Sequence, residues 1–232
     1  YDTIYLDVLR TFYNNPNSED LRKKLFNILK IIAYVTQVSY CQGMNYVGSF
    51  LLFLTDGHEE EAFNLFYLLI QGSEYKLLFE DELNVLKKYF YMYERLTEIL
   101  LPEVSQAFKN NNIQVSFFSS SWFITLFTSN ITDKKSIPAL LYHILDDFLI
   151  NGWRTIFKIS ICLLKVHEER LIEMRYEEML QFLLNDIYNC WLFKDEFLEE
   201  SLCLFNSVCL KRGLIQNLEI EYELKRNADP FS

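Results

Sequence analysis

The sequence predicts an all-α fold, and three observations lead to this prediction. Only 6 glycines and 4 prolines occur among 232 residues, well below their usual share of about 12%, and these residues most often interrupt regular structure. Apolar residues recur three and four positions apart, which is the spacing of one helical face. No segment alternates apolar and polar residues for long enough to predict a strand. These patterns indicate helices packed around a large apolar core.

Capping residues and apolar spacing set the limits of the predicted helices. Ser18, followed by two acidic residues, has the composition of a helix start, and apolar residues at helical spacing continue to about residue 34. Ser136 is predicted to cap a helix that carries Pro138 in its first turn and ends at Gly152. The chain is also predicted to be helical from Tyr1 onward. Further helices are predicted over 59–70, 83–100, 102–109, 154–166, 176–185, 195–211 and 218–226.

The chain is predicted to form two packed helical subdomains. No fixed-period repeat and no low-complexity linker divides it, so the turn over 130–135 is the best candidate for a boundary. The approximate subdomains are then 1–132 and 133–232. Because the sequence starts with Tyr1 and not with methionine, we expect a fragment whose N-terminal part is truncated.

Charge and composition disfavour several classes of function. A net charge of −10 argues against binding to nucleic acid or flat docking on an anionic membrane, since both need an excess of basic residues. The longest apolar stretches are too short to span a bilayer, so no transmembrane segment is predicted. The five cysteines lack metal-ligand spacing and are expected to be buried thiols in a reducing, cytoplasmic compartment.

Metal and nucleotide sites are not predicted either. His58, His143 and His167 lie far apart in sequence, without the spacing of metal ligands. Asp146 and Asp147 are adjacent, and a solvated pair, with Asp146 packing or capping a helix, explains them more simply than metal or acid–base chemistry. No glycine-rich phosphate loop occurs, so the chain is not expected to bind nucleotide by itself.

Asp7 and Arg10 form the first candidate pair. On a helix they lie three residues apart and share a face, so their side chains can form an ion pair. One interpretation is an ordinary surface pair, worth about 0.3 kcal/mol. The other is that Asp7 holds a guanidinium directed at an anionic ligand, for which arginine offers a permanent charge and a donor fork that matches phosphate oxygens.

The second candidate segment runs from Ser39 to Asn45. Ser39 and Gln42 have the spacing of a capping box at the start of the apolar helix that continues to residue 54. That interpretation does not explain Gly43, because a glycine in the first turns of a helix costs up to about 1 kcal/mol relative to alanine. A glycine there often marks close approach by another backbone or a ligand.

The two segments together resemble the TBC domain, the catalytic module of Rab GTPase-activating proteins. The resemblance is carried by Ile4-x-x-Asp7-x-x-Arg10-Thr11-Phe12 and, about 30 residues later, by Tyr40-Cys41-Gln42-Gly43-Met44-Asn45. The aromatic block 118–127 and the block 144–153 are similar to later family motifs, so the matches extend from residue 4 to about 166. The sequence departs from the family pattern at Tyr13, often proline, at Leu145, often tryptophan, and in lacking a more N-terminal tryptophan block.

The resemblance implies a many-helix Rab-GAP fold and a specific mechanism. Arg10 and Gln42 would be the catalytic residues, an arginine finger and a glutamine finger given in trans to a Rab-family GTPase in its GTP form. Asp7, Tyr40, Gly43 and Met44 would support them, with Tyr40 and Met44 wedging the glutamine loop against the core. The resemblance also implies a role in vesicle trafficking, and recruitment to membranes by the partner or by regions outside this chain. No cofactor is expected, since GTP and Mg²⁺ belong to the GTPase.

Two other classes of function stay open. The domain would be a catalytically silent scaffold that binds a GTPase or another protein, or an unrelated helical interaction domain in which the motif pair is a coincidence. The presence of both Arg10 and Gln42 argues against a silent scaffold, because binding alone needs neither.

Overall fold

Every regular element in the described part of the chain is helical. The structure, a computed structural model, describes residues 2–12, 18–72, 74–79 and 84–228. These residues form α-helices together with short 3₁₀ and π segments, and no strand occurs among them. The α-helices are α1 (Asp2–Thr11), α2 (Ser18–Thr36), α3 (Met44–Leu54), α4 (Glu59–Gly72), α5 (Asn84–Leu100), α6 (Pro102–Asn110), α7 (Ser116–Thr125), α8 (Ala139–Asn151), α9 (Trp153–Val166), α10 (Glu168–Glu173), α11 (Tyr176–Gln181), α12 (Leu198–Ser207) and α13 (Arg212–Ala228).

Contacts divide the chain into two compact units that alternate along the sequence. Unit 1 comprises Tyr1–Val85 and Ser121–Ile137, and unit 2 comprises Leu86–Ser120 and Pro138–Ser232. The predicted subdomains 1–132 and 133–232 assumed that the chain divides at one point in the sequence. That division into domains remains a prediction. The contact units differ from it because α5 and α6 group with the C-terminal helices.

Unit 1 is built around α3. This helix is apolar on all sides, and nearly all of Met44–Phe53 is buried. It contacts α1, α2 and α4. Gly48 permits the approach of α2, because a Cβ at this position would lie 2.7 Å from Leu25 Cδ1. The segment that follows Gln42 in sequence therefore begins the central helix of the unit.

In unit 2 the corresponding helix is α9. Its residues from Trp153 to Leu164 are mostly buried, and it contacts α8, α10 and α12. The Trp153 ring stacks on Tyr89 with centroids 4.2 Å apart and meets the edge of Phe148 at 5.9 Å. Large rings thus fill the space around the first turn of α9.

Several predicted helix limits were wrong. Ser136 does not cap α8; it ends a short 3₁₀ helix whose cap is Asp133, while α8 follows Pro138. The helix predicted over 195–211 is a 3₁₀ turn and then α12, which stops at Ser207. The segment predicted over 176–185 changes from α to π geometry at Phe182, and α13 starts six residues before the predicted 218. The predicted helix starts at Tyr1 and at residue 83 lie outside the described residues, whereas α2 begins at Ser18.

Two sequence expectations concern cysteines and membranes. Cys162 and Cys190 are buried and Cys41 is half-buried, but Cys203 and Cys209 are exposed, so the prediction of five buried thiols was wrong. Cys203 is on the outer side of α12 and Cys209 follows its end. Within the described ranges, no helix has both the length and the apolar character needed to cross a bilayer.

Candidate functional site

Arg10 lies near the end of α1 and points away from the core. Ile4, Val8 and Phe12 recur every four residues and are buried, and the Phe12 ring meets the edge of Phe53 on α3 at 5.6 Å. Because Arg10 lies two residues from both Val8 and Phe12, a helical turn carries it to the opposite face. Its side chain is 73% exposed.

Asp7 is the buried partner of that arginine. Its side chain is 7% exposed, and its Oδ1 lies 3.9 Å from Arg10 Nη1. The other carboxylate oxygen accepts a hydrogen bond of 2.7 Å from the Tyr40 hydroxyl. Burial, followed by this bond to Asp7, raises the pKa of the Tyr40 phenol well above its usual range, so Tyr40 stays protonated and donates. Tyr40 thus joins the second candidate segment to the first.

Gln42 lies in the turn that precedes α3. It is exposed, and its side-chain amide makes no hydrogen bond to any residue in the described part of the chain. The predicted capping box is therefore wrong: the N-cap of α3 is Gly43, which has no side chain to cap the helix. Ser39 lies outside regular structure and Gln42 lies in the turn before the helix, which leaves the Gln42 side chain free for a partner.

A close approach explains Gly43, but the approaching group is a side chain and not the backbone or ligand that the sequence suggested. Its φ is +112°, a conformation that residues with a Cβ rarely adopt. A Cβ would also lie 2.5 Å from Ile124 Cγ2 on α7. The backbone carbonyl of Ile124 in turn accepts a bond of 2.6 Å from the Tyr75 hydroxyl. The approaching side chain is the half-buried Ile124, and it leaves no room for a Cβ at Gly43.

Met44 and Cys41 complete the turn. Met44 is 2% exposed, and its sulfur accepts a weak hydrogen bond from the Cys41 backbone N–H at 3.5 Å. Burial raises the pKa of the half-buried Cys41 thiol, which keeps it neutral. One side of the turn is therefore anchored in the core of unit 1 while Gln42 faces solvent.

The family of the chain follows from a comparison with known protein families. A family model described as the Rab-GTPase-TBC domain matches residues 1–172. This chain belongs to the Rab-GTPase-TBC domain family. The resemblance read from the two motifs is confirmed, and the match ends within α10, so α11 to α13 lie beyond it.

Curated relatives of this TBC domain are much longer proteins. The human "Ecotropic viral integration site 5 protein homolog" is 30% identical over 180 residues, which are 75% of this chain and 21% of the human protein. "Rab GTPase-activating protein eat-17" of Caenorhabditis elegans is 28% identical over 206 residues, or 88% of this chain and 22% of the relative. This chain thus spans about a fifth of the length of these relatives.

Solved TBC domains share the fold. The TBC domain of a Chlamydomonas flagellar RabGAP has a TM-score of 0.69 at 18% identity, covering 90% of this chain and 67% of that chain. The Ypt/Rab-GAP domain of Gyp1p also has a TM-score of 0.69, at 15% identity, covering 88% of this chain and 70% of that chain. At such identities the likeness shows the all-α TBC fold alone.

Two residues of this TBC domain were not assigned from the sequence. Asn45 and Thr11 are joined by a hydrogen bond of 2.9 Å from Asn45 Nδ2 to Thr11 Oγ1. They are 34 positions apart, so local spacing gave no sign of the contact. The only sequence signal was their presence inside the two motifs.

The remaining polar candidates have other surroundings. Asp146 is exposed, and its neighbour Asp147 has the packing role instead: it accepts hydrogen bonds from Asn151 and from Thr155 of α9. His167 contacts the Ile187 carbonyl oxygen through Nε2 at 2.9 Å, and burial lowers its pKa. Among the described residues, no three His, Cys, Asp or Glu side chains converge as metal ligands.

Proposed function

We propose that this TBC domain accelerates GTP hydrolysis by a Rab-family GTPase in its GTP form. Arg10 and Gln42 are the two groups that it contributes in trans. The observation that supports the proposal is the hydrogen bond between Tyr40 and Asp7, which links the helix of the exposed arginine to the segment that leads into the glutamine turn.

The chemistry requires few groups. Phosphoryl transfer needs an aligned water molecule and compensation of the charge that develops around the γ-phosphoryl group. A guanidinium supplies the compensating positive charge. A carboxamide can accept a hydrogen bond from the attacking water while donating to a phosphate oxygen. Both groups here face solvent, so they become part of a closed electrostatic site only when a nucleotide-bound partner covers them.

Asp7 suits an orienting role. A contact of 3.9 Å to a guanidinium that is 73% exposed is worth a few tenths of a kcal/mol, so a phosphate can displace it. Asp7 itself is buried and satisfied by Tyr40, and it has little freedom to move with the arginine. Arg10 is therefore directed outward without being neutralised.

The surface beside Arg10 suits a protein partner. Leu6 lies one helical turn before Arg10 and is 51% exposed, and Leu9 is 38% exposed. Apolar side chains beside a charged group are typical of protein interfaces, where aliphatic area is buried around a polar anchor. In this proposal the GTPase covers these leucines as it receives the arginine.

The partner supplies the nucleotide and its metal ion. We propose that the TBC domain binds neither GTP nor Mg²⁺ alone, and that it acts in the cytoplasm at membrane surfaces to which its partner or other regions of the protein recruit it. Its part in vesicle trafficking would follow from the Rab that it inactivates.

The direct test is turnover. Catalytic amounts of the domain are added to a panel of GTP-loaded Rab GTPases, and phosphate release is followed over many equivalents. Multiple turnovers on at least one Rab, lost in Arg10→Ala, support the proposal. Stoichiometric binding without any turnover on the whole panel would instead identify a silent scaffold.

A further inference from the structure

We propose that Asn45 is a positioning residue that fixes the glutamine turn relative to the arginine helix. This inference rests on the proposed function, because a fixed spacing has value only if one nucleotide must meet both groups. In the described part of the chain, Asn45 forms no hydrogen bond with either finger side chain. It acts through Gly43, the residue after Gln42, and through Thr11, the residue after Arg10.

The bonds form a continuous path between the two fingers. Asn45 is 3% exposed in the first turn of α3. Its Oδ1 accepts from the Gly43 N–H at 3.0 Å, and its Nδ2 donates to Thr11 Oγ1 at 2.9 Å. The Thr11 hydroxyl then donates to the Asp7 backbone carbonyl at 2.7 Å. One amide side chain therefore connects the backbone of the turn to the backbone of α1.

The orientation of the Asn45 amide follows from its donors and acceptors. The Gly43 N–H can only donate, so the oxygen of the amide must face it. The Thr11 hydroxyl gives its hydrogen to Asp7, so it must accept from the nitrogen. Tyr40 also lies 3.4 Å from Asn45 Oδ1, but its single hydrogen goes to Asp7 at 2.7 Å. The Asn45 bridge is therefore separate from the Tyr40–Asp7 bridge.

The turn needs this support because of its backbone. Gly43 is the N-cap of α3, and its buried N–H donates to the Asn45 side chain, so this N–H would lose that partner without Asn45. Its φ of +112° restricts the backbone of the turn, and the nearby Ile124 side chain confines the turn on the α7 side. Asn45 confines it on the α1 side, and together they set where Gln42 projects.

The test separates positioning from general stability. Thr11→Val removes the hydroxyl that accepts from Asn45 and keeps the shape of the side chain, and Thr11→Ser retains the hydroxyl. The matched control is Thr97→Val on α5 of unit 2, since the Thr97 hydroxyl bonds the carbonyl four residues earlier at 2.9 Å, as Thr11 does at 2.7 Å. Asn45→Ala is the more disruptive variant. All are assayed on a Rab that the wild-type domain activates, with kcat, KM and Tm measured.

We expect Thr11→Val and Asn45→Ala to lower kcat by about ten- to a hundredfold while KM changes by about twofold or less, because the fingers are misplaced after binding. Thr11→Ser should restore kcat. Thr97→Val should lower Tm as well but keep kcat. A Thr11→Val domain with wild-type kcat, or Thr97→Val losing kcat equally, would overturn the inference.

A second readout needs no GTPase. Hydrogen exchange of the Gly43 amide should accelerate at least about tenfold in Thr11→Val and Asn45→Ala and stay unchanged in Thr97→Val. If exchange responds in this way but the wild type activates no Rab, the proposed function fails and the mechanical coupling stands. If the wild type turns over and neither kcat nor exchange changes in the variants, the coupling fails and the proposed function stands.

Discussion

A tyrosine, a carboxylate and an arginine meet in both units, and the arginine is held differently in each. In unit 1 the carboxylate of Asp7 is buried, Tyr40 donates to it, and Arg10 is 73% exposed and lies 3.9 Å from Asp7. The tyrosine and the carboxylate are fixed and the arginine is left available.

In unit 2 the arginine, Arg95, is held in ion pairs. Arg95 Nε bonds Glu221 at 2.8 Å, Tyr91 donates to the same carboxylate at 2.6 Å, and the Arg95 guanidinium also pairs with Glu98. Glu221 is 42% exposed and Arg95 35%. These contacts tie α13 to α5, while Leu218 is the buried residue of α13 within its described range.

The difference lies in which partner the fold buries. A buried carboxylate is held by the core and can present a cation to an incoming ligand. A carboxylate at the surface is held by its ion pair with the cation, so the cation is not available to an incoming ligand. The same three side-chain types are thus arranged as a candidate catalytic site in one unit and as a tether in the other.

The largest expected effect separates the two arginines directly. Arg10→Ala should reduce stimulation of Rab GTP hydrolysis by about 10³–10⁵-fold with Tm unchanged, because an arginine finger contributes that much to the rate. Arg95→Ala should keep the stimulation. Arg10→Lys should restore little, since a point charge lacks the guanidinium fork. Equal activity losses in Arg10→Ala and Arg95→Ala would remove the distinction between presented and tethered arginine.

Gln42→Ala should be nearly as damaging to activity. We expect a loss of about 10²–10³-fold, the usual effect of removing one preorganised polar group at a reacting centre. The stability should not change, because the side chain is exposed and makes no bond within the described residues. Thermal unfolding is the check: a loss of about 1 kcal/mol with full activity would restore the capping interpretation.

Gly43→Ala tests the support below the turn. The new Cβ would meet a β-branched side chain that cannot swing aside, at a φ of +112°. We expect a loss of about 1–3 kcal/mol in the free energy of unfolding, together with lower activity. Gly213→Ala is the control, because nothing lies within 4 Å of that position on α13. Denaturant unfolding of both variants shows whether the loss of stability comes from strain at Gly43 or follows the replacement of any glycine by alanine.

The smallest effect concerns the tether. The Tyr91 hydroxyl, with Arg95, lowers the pKa of Glu221, so its stabilising effect is present above the unfolded carboxylate pKa of about 4.3 and is lost as pH falls through the lower folded value. Glu221→Gln should therefore lower Tm slightly at pH 7, and the difference from wild type should shrink below about pH 4. Amide exchange should rise in Arg212–Ala228 only. A difference that persists in acid would contradict this origin.

Much of the fold could be predicted because helices are local. The limits of α4, α6 and α9 agree with the predicted ones within one or two residues, since apolar spacing, Pro102 and Gly152 act within a few positions. The predicted cap at Ser136 was wrong because its hydroxyl accepts hydrogen bonds from backbone N–H groups of the preceding turn. The capping box predicted from the S-x-x-Q pattern of Ser39 and Gln42 was wrong because α3 begins only after Gly43, which is its N-cap.

By itself, the sequence determined that the chain is helical and which residue types stand in the two motifs, because periodicity and motif spacing are read along one segment at a time. Only the tertiary structure decided that Asp7 is buried, that Gln42 is uncapped, and that Asn45 joins Thr11 to Gly43. The Tyr40–Asp7 and Asn45–Thr11 bonds connect residues more than 30 positions apart, and they form only when α1 and α3 pack against each other around Phe12 and Phe53.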